Sequence, residues 1–356
     1  MKKATFTFII IFLQLTCLAN DGAFFAKGNQ LIPINESEIS VKKEILTLQK
    51  IRHDFIEVTV YYEFFNPNDD KIVIVGFEAF SPSGDANGAP KNGLHPYMND
   101  FTVEMNDTIL KYDVSYVKDS LYSNSGRIES IDLNTFEGET HGNYVDFYYV
   151  YHFNATFKKG INIIKHTYKY DLSGGICYNY NFEYVLTAAN RWSNKQIDDF
   201  TLIIDAGEFE SFNIEKSFFK ESSDWLITGI GKTGNTTNEN KEFATFNLQK
   251  GSIIFQSKNF KPSGELYINS LYCSMGTPNN DLPFSYYVQN GLLEPTTEFS
   301  KKAFKNLPFA RRGYIFKNKE LQKYFEGMSW YIPNPNYIPD VTDLHILEKK
   351  WIEKYK

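Results

Sequence analysis

Cysteine is scarce in this chain of 356 residues, which contains three. The short motifs of common catalytic centres are absent too: the sequence has no HExxH, GxSxG or CxxC, and so no local signature of a zinc protease, a serine hydrolase or a thiol redox centre. A surplus of positive charge is also lacking, since the formal net charge is −6, which argues against a nucleic-acid-binding protein.

Apolar and aromatic residues are plentiful. Hydrophobic residues make up 42% of the chain and aromatic residues 17%, with 31 Phe and 24 Tyr. This composition excludes a disordered or collagen-like chain. The length favours roughly two or three domains, because a single hydrophobic core stops growing near ~250–300 residues.

Long apolar runs are missing beyond the N-terminus. Residues 1–19 are typical of a secretory signal peptide: two lysines precede an apolar stretch, and a small residue occupies the cleavage position, so we expect the mature chain to begin at Asn20. The apolar stretch is shorter than the ~20 residues of a membrane-spanning helix. Gln14 disagrees with the pattern that precedes a lipid-modified cysteine at Cys17. We therefore expect a secreted protein, periplasmic or on the cell surface, without a membrane span.

Signal-peptide removal would leave two cysteines, Cys177 and Cys273. In an oxidising compartment they can form a disulfide that closes a large loop, the case in which loop entropy stabilises most. The alternative is a pair of buried free thiols. The sequence leaves both possibilities open.

Alternating apolar and polar residues dominate from about residue 40 to 275. In the segment 55–65 the residues Ile56, Val58, Val60, Tyr62 and Phe64 fall on one face, as in a half-buried antiparallel strand. Short strands without long helical crossovers are typical of β-sandwiches. Further strands are predicted at 71–78, 101–105, 110–117, 144–157, 161–170, 182–187, 200–205, 225–228, 243–248, 252–256 and 265–272.

The pattern changes to a helical period after Pro295, with Ser300 as the expected N-cap of the first helix. Residues 300–356 carry 12 Lys and Arg against 6 Asp and Glu, whereas residues 20–299 carry 23 against 37. We therefore predict a mainly β protein with two antiparallel β-sandwich domains and a small basic α-helical C-terminal module. The predicted organisation is a signal peptide at 1–19, a sandwich at 20–171 with long loops at 81–100 and 120–142, a second sandwich at 172–275, a linker at 276–299 and the helical module at 300–356.

The C-terminal module contains the run Phe309–Phe316, followed at matching spacing by Glu320–Leu321 and Trp330–Tyr331. In these residues it resembles the YARHG domain, over about 50 residues. Two positions depart from the family motif, because Phe309 stands for its leading Tyr and Arg312 for its His. The resemblance implies an extracellular module with a role in binding cell-envelope material, and it implies no enzymatic activity.

The β region is similar, more weakly, to an uncharacterised family of secreted bacterial proteins with paired β-sandwich domains. The resemblance spans roughly residues 21–272. It rests mainly on Val60–Asn66, Tyr184–Trp192 and Asp199–Asp205. It implies an architecture and no chemistry.

Basic and aromatic residues of the C-terminal module are candidates for binding, because arginines can contact an anionic polymer and aromatic rings can stack on sugars. The alternative is structural: a small module needs its aromatic residues for a core, and the arginines can cap helix carbonyls or bridge to an acid such as Glu320. Gly313 is expected at a helix C-terminus or a tight contact. The candidate binding residues are Arg311, Arg312, Tyr314, Trp330 and Tyr331.

Two histidines form a weak candidate for a metal site. If residues 158–160 form a three-residue hairpin loop, His152 lies directly opposite His166, with Cβ atoms roughly 5 Å apart. Two imidazoles at that distance can share a metal ion or respond to pH. No third ligand can be placed from the sequence, so the alternative is a pair of partly solvated strand residues.

The sequence thus predicts a secreted, non-enzymatic protein of the cell envelope or surface, without a cofactor, whose β scaffold carries a module that binds cell-wall polymer or another envelope protein. One alternative is a secreted hydrolase with a site assembled from distant loops, which would draw on Asp85, Asp100, Glu137 or Glu139. Another is an assembly subunit that binds a protein partner through a sheet edge or an aromatic patch.

Overall fold

The structure is a computed structural model. Cys177, Cys273 and the predicted signal peptide lie outside the residues that it describes, so the disulfide and the signal peptide stay predictions. We call residues 31–270 the β body and residues 296–356 the tail. The described residues are 31–34, 38–51, 55–82, 86–119, 128–175, 178–270 and 296–356.

The described residues form eighteen strands and three α-helices. The strands are β1 (Leu31–Ile34), β2 (Ser40–Ile51), β3 (Phe55–Asn66), β4 (Lys71–Ala79), β5 (Met98–Met105), β6 (Thr108–Ile109), β7 (Asp113–Val117), β8 (Tyr148–Phe157), β9 (Gly160–Asp171), β10 (Ser173–Gly175), β11 (Tyr178–Tyr184), β12 (Ile197–Asp205), β13 (Ser211–Glu215), β14 (Trp225–Ile227), β15 (Ile230–Asn238), β16 (Lys241–Lys250), β17 (Ile253–Phe260) and β18 (Leu266–Ser270). The helices are α1 (Glu298–Arg311), α2 (Lys319–Glu326) and α3 (Ile346–Lys354).

The strands build three sheets, which have the orders β14-β17-β12-β2-β3-β9-β5-β6, β10-β11-β18-β13-β16-β15 and β1-β4-β8-β7. Aromatic contacts join them. Phe77 of β4 packs on Tyr168 of β9 with ring centroids 5.2 Å apart, and Tyr170 of β9 packs on Phe182 of β11 with centroids 6.5 Å apart. Because side chains two apart in a strand share a face, both smaller sheets pack against one face of the eight-stranded sheet.

The alternation predicted for β3 is confirmed. Its five apolar residues on the even positions from Ile56 to Phe64 are all buried, whereas the residues between them are half-buried or exposed. β3 lies between β2 and β9, so both of its backbone edges are paired. One face of this strand therefore supplies the centre of the core.

The mainly β prediction is confirmed, but the two-sandwich arrangement is not. Strand β12, which belongs to the second predicted sandwich, pairs in parallel with β2 of the first, Ile197–Asp205 against Val41–Gln49. One hydrophobic cluster runs from Ile39 to Ile268 and includes residues from both predicted domains. A pairing between strands about 150 positions apart leaves no local pattern in the sequence, so composition and periodicity did not reveal it.

The predicted register of the two histidines is wrong. β8 pairs with β4 and β7, whereas β9 pairs with β3 and β5, so the two strands lie in different sheets and do not form a hairpin. His152 stands opposite Gly76, and His166 stands opposite Val60. Gly160 does have a positive φ of 96°, but its turn carries the chain from one sheet to the other.

The tail folds into the three predicted helices, with one change at the start of α1. Thr297 is the N-cap: its hydroxyl accepts a hydrogen bond from the amide of Ser300 at 3.1 Å, and the Ser300 hydroxyl accepts one from the amide of Thr297 at 2.9 Å. Ser300 is therefore the third helical residue of a capping box and not the N-cap itself. None of the helices that the structure describes combines the length and apolarity needed to span a bilayer.

Candidate functional site

The five candidate binding residues of the tail lie in its interior or at its contact with the β body. Arg311 is 4% exposed, Trp330 and Tyr331 are equally buried, and Arg312 and Tyr314 are half-buried. Buried side chains cannot present a basic or aromatic face to a polymer without a rearrangement. Their partners show that each has a structural contact.

Arg311 connects the tail to the β body. One of its Nη atoms donates a hydrogen bond to the backbone carbonyl of Phe209, which precedes β13. Its guanidinium also lies over the ring of Trp330 at 4.7 Å and over the ring of Phe209 at 5.9 Å. A guanidinium suits this environment because it is planar, stacks on rings and is only weakly hydrated.

Arg312, which replaces the histidine of the family motif, connects two helices of the tail. Its two Nη atoms bind the two carboxylate oxygens of Glu348 at 2.6 and 2.9 Å, and one of them also donates to the carbonyl of Pro308 at 2.9 Å. Glu348 is fully buried and accepts a hydrogen bond from the amide of His345, the N-cap of α3. The acid that Arg312 bridges is thus Glu348 on α3, whereas the sequence suggested Glu320.

The segment after α2 contacts both the rest of the tail and the six-stranded sheet. Within the tail, the Tyr331 hydroxyl donates to the carbonyl of Tyr314 at 2.8 Å. The Lys232 ammonium on β15 donates to the carbonyl of Tyr331 at 3.0 Å, and the Gln249 amide on β16 donates to the carbonyl of Ile332 at 3.0 Å. Backbone carbonyls of the tail are therefore satisfied by side chains of the β body.

Gly313 has the packing role that the sequence suggested. It follows α1 with φ of +82°, in the left-handed region that favours glycine. A Cβ at this position would lie 2.2 Å from the carbonyl oxygen of Ile332 and 2.9 Å from the amide nitrogen of Asn334. The end of α1 and the segment after Trp330 thus approach each other more closely than any residue with a side chain would permit.

An open groove of about 1000 Å³ lies on the β body. Much of its lining comes from residues 131–148, and the first part of this segment belongs to the long loop predicted at 120–142. Aromatic and acidic side chains line it, and Tyr144 is the most exposed ring among them, at 66%. The aromatic lining residues are Phe136, Tyr144, Phe147 and Tyr148, and the charged lining residues are Lys118, Asp119, Asp132, Glu137 and Asp146.

The charged side chains give the groove a negative lining, with four carboxylates against one lysine among the residues described. Two of the carboxylates hold the loop in shape: Asp132 accepts from the amide of Asn134, and Asp146 accepts from the amide of Glu139, both at 2.9 Å. Asp119 and Glu137 are exposed and have no hydrogen-bond partner in the described part of the chain. They remain available to a ligand.

The acids of the hydrolase alternative do not come together. Of these, Glu137 lines the groove, and Glu139 contributes its backbone to the adjacent loop. Asp100 lies on β5 and pairs with Lys169 at 2.8 Å, and Asp85 lies outside the described residues.

The two histidines occupy separate environments. The Nε2 atom of His152 lies 2.9 Å from the Ser115 hydroxyl, at the surface of the four-stranded sheet. His166 is fully buried among aromatic rings, neither of its ring nitrogens has a hydrogen-bond partner in the described structure, and burial lowers its pKa to about 3. No group of three or more His, Cys, Asp or Glu side chains within the described ranges is arranged to hold a metal ion.

Comparison with protein families agrees with the resemblance seen in the tail. Residues 298–356 match the model of the YARHG domain. The tail is a YARHG domain. It follows the β body, and its first matched residue is the first residue of α1.

Comparison with solved structures gives weaker likenesses. A crystal structure of a candidate nutrient-binding protein from Legionella pneumophila is similar with a TM-score of 0.49 and 18% identity, covering 93% of this chain and 98% of that one. An M1 zinc metallopeptidase from Deinococcus radiodurans gives a TM-score of 0.23 and 7% identity, covering 66% of this chain and 43% of that one. Likenesses at this level carry no inference about activity. No curated protein matches the chain.

The molecule thus has two regions where aromatic and charged side chains meet. In the YARHG domain the candidate binding residues of the motif contact one another or the β body, so they expose little polar surface to a ligand. In the groove the same kinds of residue are exposed. The groove was foreseen only as a long polar loop, because its lining comes from three segments that are separate in sequence.

Proposed function

We propose that this protein is an extracytoplasmic binding protein whose β body takes a ligand in the acidic, aromatic groove, with the YARHG domain fixed to the β body as a second unit. The observation that carries the proposal is the groove of about 1000 Å³ with exposed carboxylates and an exposed tyrosine ring. A volume of this size suits a small molecule or a short polymer segment. The YARHG domain supports a location outside the cytoplasm, as the signal-peptide prediction does.

The ligand class follows from the lining. Carboxylates attract a cation, and an ammonium group is also attracted to the face of an aromatic ring, by an interaction of about 0.5–2 kcal/mol. Asp119 and Glu137 supply exposed carboxylates, and Tyr144 supplies the exposed ring. We therefore propose a ligand that carries amino groups. In the proposed extracytoplasmic location, this ligand is a cell-envelope polymer with ammonium groups.

Binding, rather than catalysis, is the activity that the groove supports. Its carboxylates are exposed to water. A ligand ammonium would replace part of that water and gain contacts to the ring. Such an interaction is screened by salt, which gives the experiment a clear signature.

The test is co-sedimentation of the full-length mature protein with purified cell-wall sacculi, at ~50 mM and ~300 mM NaCl. The double variant Asp119→Asn, Glu137→Gln removes two charges that bond to no other residue in the described part of the chain. It should reduce retention at low salt at least fivefold, and Tyr144→Ala should reduce it further. The matched control is Asp107→Asn, Glu239→Gln, which removes two exposed acids at turns away from the groove.

Three results would contradict the proposal. The first is equal retention of the groove variant and the control variant. The second is loss of retention with Lys302→Gln, Lys350→Gln, which removes two exposed lysines of the YARHG domain, because that would place binding on the basic tail. The third is retention that rises with salt, which would argue against an ammonium ligand.

A further inference from the structure

One residue of the β body lies inside the hydrophobic core of the YARHG domain. Phe209 is 9% exposed and belongs to the same apolar cluster as Phe304, Leu307 and Trp330, which all come from the tail. The other buried members of that cluster are tail residues too. The Phe209 side chain therefore projects from the β body into the core of the tail. No pattern in the neighbouring sequence predicts this contact.

Two guanidinium groups contact the inserted ring. The central carbon of Arg312 lies 5.1 Å from the ring centroid of Phe209, and that of Arg311 lies 5.9 Å from it. Arg311 also donates to the Phe209 carbonyl, so it recognises both the ring and the backbone of the same residue. The Arg311 guanidinium also lies over the ring of Trp330, at 4.7 Å, which adds a second cation–π contact that holds it in place.

The backbone of Phe209 has a positive φ of 58°, which is uncommon for a residue other than glycine. Its amide donates to the carbonyl of Gln249 at 3.1 Å, which ties the turn to β16. Such strain persists only where the surroundings compensate for it. Here the turn aims the ring away from the β body and into the tail.

The neighbouring residue anchors the turn from the opposite side. Glu210 binds the ammonium of Lys50 on β2 at 2.9 Å, and both side chains are almost fully buried. On the tail side, Arg312 is held by both oxygens of Glu348. Phe209 thus lies between two ion pairs: one links β2 to the turn before β13, and the other links the end of α1 to α3 in the YARHG domain.

We propose that Arg311, Arg312 and Trp330 form a binding site for an aromatic side chain presented on a tight turn next to an acceptor carbonyl, and that this chain fills the site with its own Phe209. The paired arginines of the motif then act as a clamp that docks the YARHG domain on the β body. The chemistry is specific for an aromatic occupant, because an aliphatic side chain has no ring face for the guanidinium groups. The proposal does not depend on the groove or on its ligand.

The experiment cuts the covalent connection in the folded full-length protein. A recognition sequence for a site-specific protease is inserted between residues 276 and 295, the purified protein is cleaved, and the affinity of the two fragments is measured by sedimentation. The wild-type fragments should stay together. Phe209→Ala should weaken the fragment complex at least a hundredfold, Phe209→Leu at least tenfold, and Phe209→Trp less than either.

The matched control is Phe219→Ala. Phe219 is buried to a similar degree in the core of the β body and packs against Trp225, so its loss destabilises the body without touching the tail. Its fragments should remain associated as in the wild type. Alanine keeps the backbone strain at position 209, so the substitution removes the ring and not the turn.

Three outcomes would contradict the proposal that Arg311, Arg312 and Trp330 bind Phe209 as a clamp. Wild-type fragments that separate as readily as those of Phe209→Ala would show that Phe209 does not hold the units together. Equal weakening by Phe209→Ala and Phe219→Ala would assign the effect to general destabilisation. Equal affinity for Phe209→Leu and the wild type would show that the site needs apolar volume and not an aromatic ring.

Discussion

The buried imidazole of the β body and the buried carboxylate of the YARHG domain are accommodated in different ways. The imidazole of His166 lies among aromatic rings with no hydrogen-bond partner in the described structure, and it packs parallel to the Tyr62 ring at 6.0 Å. The carboxylate of Glu348 in the tail pairs with Arg312. Each region also contains a buried indole nitrogen without a partner among the described residues, that of Trp225 in the body and that of Trp330 in the tail. The contrast is therefore between an unpaired neutral ring and a paired charge.

Size accounts for the difference. The core of the body draws on three sheets, so one neutral imidazole can serve as a flat ring within a large apolar cluster. The tail has three short helices and a much smaller cluster. Small units bury too little apolar surface to be stable on that basis alone, so they depend on cross-links and docking. The predictions below test this contrast.

Acid should weaken the body. Burial lowers the pKa of His95 to about 4 and that of His166 to about 3, whereas both rise to about 6.5 on unfolding. The stability tied to these neutral imidazoles is present above pH ~6.5 and is lost as the pH falls towards the folded-state values. Between pH ~6 and ~5 the free energy of unfolding should fall by about 2.5 kcal/mol, measured by urea denaturation.

The matched variant is His166→Phe, which keeps a ring in the cluster and removes one titrating group. It should remove about half of that fall, because one of the two fully buried imidazoles then no longer titrates, whereas His152, whose pKa is also lowered by burial, contributes equally in both proteins. An unchanged slope would mean that His166 is protonated in the folded state or is accessible to water.

Gly313→Ala should destabilise the tail by about 3 kcal/mol, since it combines a positive φ with a Cβ only 2.2 Å from the Ile332 carbonyl oxygen. Gly142→Ala is the control, because Gly142 has the same φ of 82° but nothing within 4 Å of the added Cβ. It should cost about 1 kcal/mol. Both are measured by urea denaturation with tryptophan fluorescence. Equal costs at the two positions would show that the close approach in the tail is not rigid.

Glu348→Gln should destabilise the protein by about 2 kcal/mol. It keeps the volume and one acceptor, but it leaves the Arg312 guanidinium with a neutral partner at a largely buried position. Glu353→Gln on the same helix removes an exposed pair with Lys356 and should have almost no effect. Thermal unfolding of both variants gives the comparison. A loss no greater than that of Glu353→Gln would mean that the pair does not cross-link the tail.

Thr297→Ala should have the smallest effect, about 1 kcal/mol, because it removes the capping hydroxyl that accepts from the Ser300 amide. Thr297→Asp keeps an acceptor and should restore the stability. Circular dichroism during thermal unfolding measures both. If Asp does not restore the stability, the hydroxyl acts through packing and not as a cap.

The candidate site was only partly predictable. The run Phe309–Gly313 was recognisable because its residues are adjacent in sequence. Gly313 has a positive φ, as expected for a glycine that follows the end of a helix. The partners of the arginines were not recognisable, because Phe209 lies about 100 positions before Arg311 and sits in a turn without periodicity. The groove was hidden for a similar reason, since residues 81–82, 118–119 and 131–148 line it together.

The sequence by itself determined the local structure. Alternation placed β3 and most other strands, helical stripes placed α1 to α3, and motif order placed the YARHG domain. It missed the edge strand β15, whose Gly, Thr and Asn residues bury no apolar face and so give no alternation.

The tertiary structure decided everything that depends on distant partners. It set the parallel pairing of β12 with β2, placed β8 and β9 in separate sheets, and turned two apparent surface arginines inwards onto Phe209 and Glu348. Periodicity records which face of an element is apolar, but not what covers that face. Whether an arginine contacts solvent, an aromatic ring or a carboxylate therefore depends on the tertiary fold.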